Sequence, residues 1–229
     1  MRKNAVRRLG REQRVSDILH AARDMFCKKG FDATVVSEIA DHLGVAEGTV
    51  FKYFPTKRDL MHRVLENWYE ELFGDYARDL AGVKGARARL RMLVWRHLRS
   101  LKEYPALCRL MFREVRSERD YHGSEVHAMN RRYTQLLVGA IEEGVASGEF
   151  RDEVPVSLLR DLVYGGIEHH AWNYLCGRGS LDVDETADRI VALVCDGIVA
   201  PRADDLSRQT QRLSKLATRI ERGLARRRA

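Results

Sequence analysis

The stretch from Val36 to Phe54, with Gly44 near its centre, constrains this chain more than any other. Ile39, Ala40 and Leu43 fall on one face of a short helix, and Gly44 stands where a positive φ lets the chain turn. Val45 fills the corner. A second helix then turns Val50 and Phe54 back toward the first, which leaves Thr49, Lys52 and Tyr53 on or near the outer face. Ala40 matters most for the geometry, because a larger side chain there would push the helices apart. The layout is that of a helix-turn-helix, although similar helix pairs also occur as plain packing units.

Upstream, Val15, Ile18, Leu19, Ala22 and Phe26 have the spacing of one buried helical face. Lys28, Lys29 and Gly30 stop it, cations and a glycine where a helix C-terminus prefers them. Asp32 and Thr34 supply oxygen acceptors that can cap the next helix, and Thr56, after Pro55, is placed to cap a helix starting at Lys57. From Leu60 the apolar residues come in adjacent pairs, Leu60 and Met61, Val64 and Leu65, Trp68 and Tyr69, Leu72 and Phe73. A helix with so wide an apolar surface needs cover on two sides. It therefore links the N-terminal helices to a second bundle, with Gly82 and Gly85 at its end.

Beyond that boundary Leu90, Leu93, Val94, His97, Leu98 and Leu101 share a face, with Arg87, Arg89, Arg91, Arg96 and Arg99 mostly on the others. Pro105 opens a further helix, residues 116–124 read as a loop, and helical patterns follow over 125–147, 156–175 and 185–199. No stretch alternates with period two for long enough to be a strand. The expectation is an all-α protein: a basic arm at 1–12, a three-helix helix-turn-helix domain at 13–56, a second helical domain at 57–200, and a basic amphipathic extension at 201–229. That extension carries Leu206, Leu213, Leu216, Ile220 and Leu224 near heptad spacing, with nine cations against three acids.

Charge adds to the reading. The formal net charge is +7, and Arg2, Lys3, Arg7, Arg8, Arg11 and Arg14 crowd the N-terminus against Glu12 alone. A polyanionic partner suits that distribution. These arginines are expected to order on DNA, following its backbone or minor groove. Cys27, Cys108, Cys176 and Cys195 are scattered without a CxxC pair, which argues against a zinc site or a disulfide framework. With no apolar segment behind the basic N-terminus and no run long enough to span a membrane, the expected compartment is the cytoplasm. Enzyme signatures are missing: Gly177-Arg178-Gly179 lacks the third glycine of a dinucleotide loop, and there is no HExxH or GxSxG. His169 and His170 are adjacent, so on a helix they diverge by about 100° and cannot chelate one metal together. No cofactor, metal or catalytic residue is expected.

The run Phe31-Asp-Ala-Thr34-Val-Val36-Ser-Glu-Ile39-Ala40, then Leu43-Gly44-Val45-Ala-Glu-Gly48-Thr49-Val-Phe51-Lys-Tyr53-Phe54-Pro-Thr-Lys57-Arg-Asp59-Leu60, closely resembles the N-terminal domain of the TetR/AcrR family of transcriptional repressors. The resemblance covers roughly residues 11 to 62. It implies a cytoplasmic homodimer on a palindromic double-stranded operator, with the second motif helix in the major groove. By position it implies DNA contacts from Thr34, Thr49, Phe51, Lys52, Tyr53 and Lys57. The chemistry agrees for several of them. Lys57 sits at a helix N-terminus that favours phosphate, Tyr53 offers a hydroxyl to a second phosphate, and Thr49 and Lys52 suit base edges. Val35 and Phe51 stand where the family commonly has Ser or Thr and Tyr, so a phosphate hydrogen bond is missing at each.

The resemblance also implies that the C-terminal helices bind a small hydrophobic effector and form the dimer. Candidate pocket residues are Trp68, Phe73, Tyr76, Trp95, Met111, Phe112, Met129, Tyr133 and Trp172, with His97, Glu168 and His169 as polar anchors. The arginines around Leu90 to Leu98 make a long-chain acyl-CoA an alternative effector, since its phosphates need cations. For the dimer the expected surface is Leu159, Leu162, Val163, Gly166, Ile190, Val191 and Val194, where Gly165 and Gly166 permit close helix approach. A different reading makes the basic tail the functional part, binding nucleic acid or a membrane surface.

Overall fold

Helix α1 runs from Arg2 to Lys29 and stops where Gly30 takes φ 82°, a value that glycine adopts without steric cost. The structure, a computed structural model, describes residues 2–199, 210 and 213–216, and side chains within those ranges from residue 10 onward. The expected role of the first arginines and most of the 201–229 extension therefore lie outside the described residues. Leu213 and Leu216 lie within them and are exposed.

Eight more helices follow up to residue 199: α2 (Val36–His42), α3 (Glu47–Tyr53), α4 (Lys57–Leu80), α5 (Ala86–Glu103), α6 (Pro105–Leu110, continued by a π-helical turn over Met111–Val115), α7 (Glu125–Ala146), α8 (Val156–Leu175) and α9 (Val183–Ile198). The only β feature among the described residues is an isolated bridge between Phe150 and Val199. The all-α expectation holds. The expected break at residue 12 does not show in the backbone, because no proline interrupts the first helix and Gly10 is accommodated within it.

The first three helices close around Ile18, Ala22, Phe26, Ile39, Ala40 and Val50, all buried. Gly44 turns the chain at φ 63°, and the amide of Val45 reaches back to the Ala40 carbonyl at 3.0 Å. One expected cap is corrected. Val35 is the N-cap residue of α2 and no side chain caps that helix; Thr34 is instead fully buried, its hydroxyl donating to the Gly30 carbonyl at 2.7 Å. The cap of α4 forms as expected: Thr56 Oγ1 accepts from the Asp59 amide at 3.0 Å and the Asp59 carboxylate accepts from the Thr56 amide at 3.0 Å.

Helix α4 is the long element that belongs to both halves. Its paired apolar residues are buried from Leu60 to Tyr76, against α1 on one side and α5 and α7 on the other. Such double cover makes α4 a rigid strut between the two bundles. In the second bundle α5 lies centrally, packed on α7, α8 and α9. Gly144 lets α7 approach α5 and Phe150 closely, since a Cβ there would sit 2.7 Å from that of Ala86 and closer still to the Phe150 ring.

Candidate nucleic-acid interface and effector cavity

Helix α3 presents Lys52 and Phe51 to solvent, with Thr49 and Tyr53 half-exposed beside them. Val50 points the other way and is buried, which holds the outer face at a set rotation. Val35, just before α2, is exposed as well. Thr34 does not join them, because its side chain is enclosed.

Lys57 also has a different place from the one expected. Its ammonium donates to the carbonyls of Phe31 and Thr34, both at 2.9 Å, and of Asp32 at 3.4 Å, and lies over the Phe31 ring at 4.4 Å. The reason is local. The loop between α1 and α2 turns several carbonyls toward the start of α4, and a cation satisfies them. The neighbouring Asp59 carboxylate occupies the helix N-terminus where a phosphate was expected.

In the second bundle, a cavity of about 30 Å³ lies among α4, α5, α6, α7 and α8. Of the candidate pocket residues, Trp68, Met111, Phe112 and Tyr133 line it, together with His97 and Glu168. The other five candidate pocket residues are elsewhere. Tyr76 is buried behind Tyr133, its hydroxyl 2.7 Å from that of Tyr133. Phe73 packs beneath the Arg132 guanidinium, Trp95 donates to Asp184 at 2.9 Å, Met129 packs against the core, and Trp172 is 37% exposed on α8. Aromatic identity alone does not say which side of a helix faces the cavity. His169 is likewise exposed, as is His170.

Sequence reasoning missed Tyr69, Asn130, Tyr164 and Arg116 in the wall. Arg116 pairs with Glu168 at 2.8 Å and lies over the Phe112 ring at 4.9 Å. The π-helical turn causes this placement: the Arg116 amide reaches the Met111 carbonyl, five residues back, at 3.1 Å. A π turn of this kind leaves no clear trace in hydrophobic spacing. Burial keeps the His97 imidazole neutral, with its pKa depressed to about 3, and pushes the Tyr76 and Tyr133 phenols well above their ordinary value.

Four arginines of α5 pair with carboxylates. Arg91 pairs with Asp188 at 2.6 Å, Arg89 with Glu143 at 3.2 Å and Arg99 with Glu103 at 2.6 Å. Arg96 is buried against Asp75 and Asp79.

Helices α8 and α9 border a groove of about 770 Å³ whose lining includes Leu159, Leu162, Val163, Gly166, Ile190 and Val194. Leu162 is 60% exposed and Leu193, which the spacing did not single out, is 76% exposed. Leu159, Val163 and Val191 are instead mostly buried within the subunit. No helix of the described residues is long and apolar enough to cross a membrane, and no cluster among them has the residues to hold a metal ion.

Residues 18–64 match the family of bacterial regulatory proteins called the tetR family, and residues 83–198 match the tetracyclin repressor-like C-terminal domain. The chain is 30% identical over 200 residues to the HTH-type transcriptional repressor KstR2 of Rhodococcus jostii (strain RHA1), covering 84% of this chain and 94% of that protein. In fold it is similar to the transcriptional regulator FadR from Bacillus subtilis in complex with stearoyl-CoA, with TM-score 0.69, 23% identity, and 78% and 96% of the two chains covered. It is also similar to the ketosteroid transcriptional regulator KstR2 of Mycobacterium tuberculosis, with TM-score 0.59, 23% identity, and 82% and 96% covered.

Proposed function

Since the chain belongs to the tetR family of bacterial regulatory proteins, we propose that it is a dimeric transcriptional repressor released from a palindromic operator by a small hydrophobic effector. The observation that carries this reading is the coupling of two sites by α4, whose start follows the recognition helix α3 by three residues and whose middle supplies Trp68 and Tyr69 to the cavity wall. A displacement of the cavity wall acts on the strut and so on the recognition helix. Effector binding then favours a spacing of the two recognition helices that no longer suits half-sites about 34 Å apart.

Within this reading Thr49 and Lys52 meet base edges, while Tyr53 and the Phe51 edge of the helix lie along the phosphate backbone. The exposed Leu162 and Leu193 support α8 and α9 as the dimer surface, because two leucines this open beside an apolar groove are costly without a partner. The cavity is far smaller than the roughly 300–1,000 Å³ of ligand sites in general. An effector therefore enters by spreading its walls, which supplies the difference between bound and free conformations that release requires. The stearoyl-CoA of the Bacillus subtilis neighbour and the ketosteroid regulation named for the Mycobacterium tuberculosis one support an apolar body for the effector.

The test is selection of DNA from a random pool by the full chain, followed by titration at several salt concentrations. A selected palindrome should bind at least about a thousandfold more tightly than random DNA. Lys52→Ala should relax the preference at one base position at a cost of about 1–3 kcal/mol, and Tyr53→Phe should weaken all sequences alike. Equal affinity for selected and random DNA would sink the proposal. Retention of DNA affinity by the helix-turn-helix variants, with its loss on truncation after Ala200, would move the function to the basic tail.

A further inference from the structure

The effector cavity is apolar in most of its wall, yet two of its residues carry buried nitrogens without a hydrogen-bond partner. Trp68 Nε1 and His97 Nε2 are both in this state, in side chains belonging to residues 4% and 7% exposed. An unpaired buried donor loses its hydration with nothing in return, so native structures retain few of them. Two at one cavity point to a ligand.

The proton on His97 follows from a count of donors. Tyr76 OH lies 2.7 Å from Tyr133 OH, which lies 2.7 Å from His97 Nδ1. Three groups in a row thus share two hydrogen bonds. If Tyr76 donates to Tyr133 and Tyr133 donates to Nδ1, both hydroxyl protons are used and the imidazole carries its proton on Nε2. The opposite sense leaves two groups unmet, the Tyr76 hydroxyl proton and the Nε2 lone pair, where the first leaves only the Nε2 proton. The first arrangement therefore holds, and His97 Nε2 is a donor like Trp68 Nε1.

The cavity's charges are already spent on each other, with Arg116 bound to Glu168 at 2.8 Å. A carboxylate or phosphate would have to displace Glu168 to reach that guanidinium. A neutral acceptor meets no such competition.

Resting on the reading of this cavity as the effector site, we propose that the effector bears an uncharged carbonyl oxygen of the ketone type on its apolar body, held by Trp68 Nε1 and His97 Nε2. A carbonyl oxygen has two lone pairs and no proton, which suits two donors that line one small cavity. A bare hydrocarbon chain leaves both donors buried and unpaired. The pocket thereby selects oxidised apolar molecules over saturated ones of the same shape.

The experiment uses the ¹⁵N-labelled full chain and two matched pairs of probes, trans-1-decalone against trans-decalin and 10-oxooctadecanoic acid against octadecanoic acid. Each ketone should bind about tenfold or more tightly than its partner. It should also shift the Trp68 indole N–H and the His97 Nε2 resonance, with Trp95 and Trp172 as internal references. Trp68→Phe and His97→Phe should reduce ketone affinity to that of the deoxygenated partner. If either variant fails to fold, the indole shift in the unaltered protein decides. Equal affinity within both pairs, an unmoved Trp68 indole, or no binding of any probe overturns the proposal; an indole already satisfied by an ordered water and unmoved by ketone is the purely structural outcome. Operator binding is measured in parallel without probes, so its failure strikes the regulator reading and leaves the ketone comparison to stand or fall separately.

Discussion

Arg58 Nη1 donates to Glu118 Oε1 across 2.6 Å, tying the first turn of α4 to the loop that follows the π-helical turn. His62 Nε2 lies 2.8 Å from the other oxygen of the same carboxylate, whose side chain is only 3% exposed. The loop is the continuation of the cavity wall at Met111, Phe112 and Arg116. One carboxylate thus connects the wall to the helix that follows the recognition helix. Replacing Glu118 by Gln removes the charge and keeps the size. The expected result is a loss of operator affinity of about 2- to 30-fold, the range of a coupling contact worth about 0.5–2 kcal/mol, with unchanged helical circular dichroism. Unchanged operator affinity in a titration at fixed salt would refute the link.

Lys57 and Lys52 are five residues apart and stand in different surroundings, one bonded to loop carbonyls and the other open to solvent. Lys57→Met strips the cation from three loop carbonyls. It should lower the unfolding free energy by about 1–3 kcal/mol, read as a lower urea midpoint. Lys52 is exposed on α3, and Lys52→Met should leave that midpoint within about 0.5 kcal/mol. The DNA titration should show the reverse order of harm.

His97 makes stability depend on pH. Its folded pKa is depressed to about 3 by burial and then by the Arg116 charge, whereas an unfolded histidine titrates near 6.5. Between those values the unfolded chain binds the extra proton, so stability falls as the pH falls. From pH 7 to pH 5 this one residue should remove about 2 kcal/mol. Urea titrations of the unaltered chain and of His97→Phe across that range should show a shallower decline in the variant. Parallel declines would mean that His97 is not the group responsible.

Gly144 is a packing requirement of a different kind. A methyl group at this position would meet the Phe150 ring and Ala86 Cβ well inside contact distance. Both neighbours are buried and cannot swing away. Gly144→Ala should therefore destabilise the protein by about 1–3 kcal/mol through overpacking, despite the better helix propensity of alanine. A thermal midpoint at or above that of the unaltered chain would contradict the contact geometry.

Much of the architecture was legible because it rests on local periodicity. The paired apolar residues of α4 required cover on two sides, and both sides are covered. Gly44 and the cap at Thr56 were readable for the same reason, since a turn or a cap involves residues only a few positions apart. The candidate sites were less so. Thr34 and Lys57 resemble DNA contacts by position, but the loop at Phe31–Thr34 folds its carbonyls toward Lys57 and encloses Thr34. Trp95 and Trp172 are as apolar as Trp68, yet Trp95 lies on the far side of α5 from His97, and Trp172 lies one turn beyond Glu168 towards the end of α8.

By itself, the sequence determined the helix-turn-helix, the helix that spans both bundles and the outer face of α3, because each follows from the 3.6-residue repeat and from glycine, proline and capping chemistry. Tertiary structure alone decided which polar groups would be spent and which left unpaired. Arg91, Arg96 and Arg116 find carboxylates as far away as 97, 21 and 52 positions in the chain, on Asp188, Asp75 and Glu168. Trp68 and His97 are brought to one cavity from different helices. Such pairings depend on distance through space, and local sequence patterns carry no record of it.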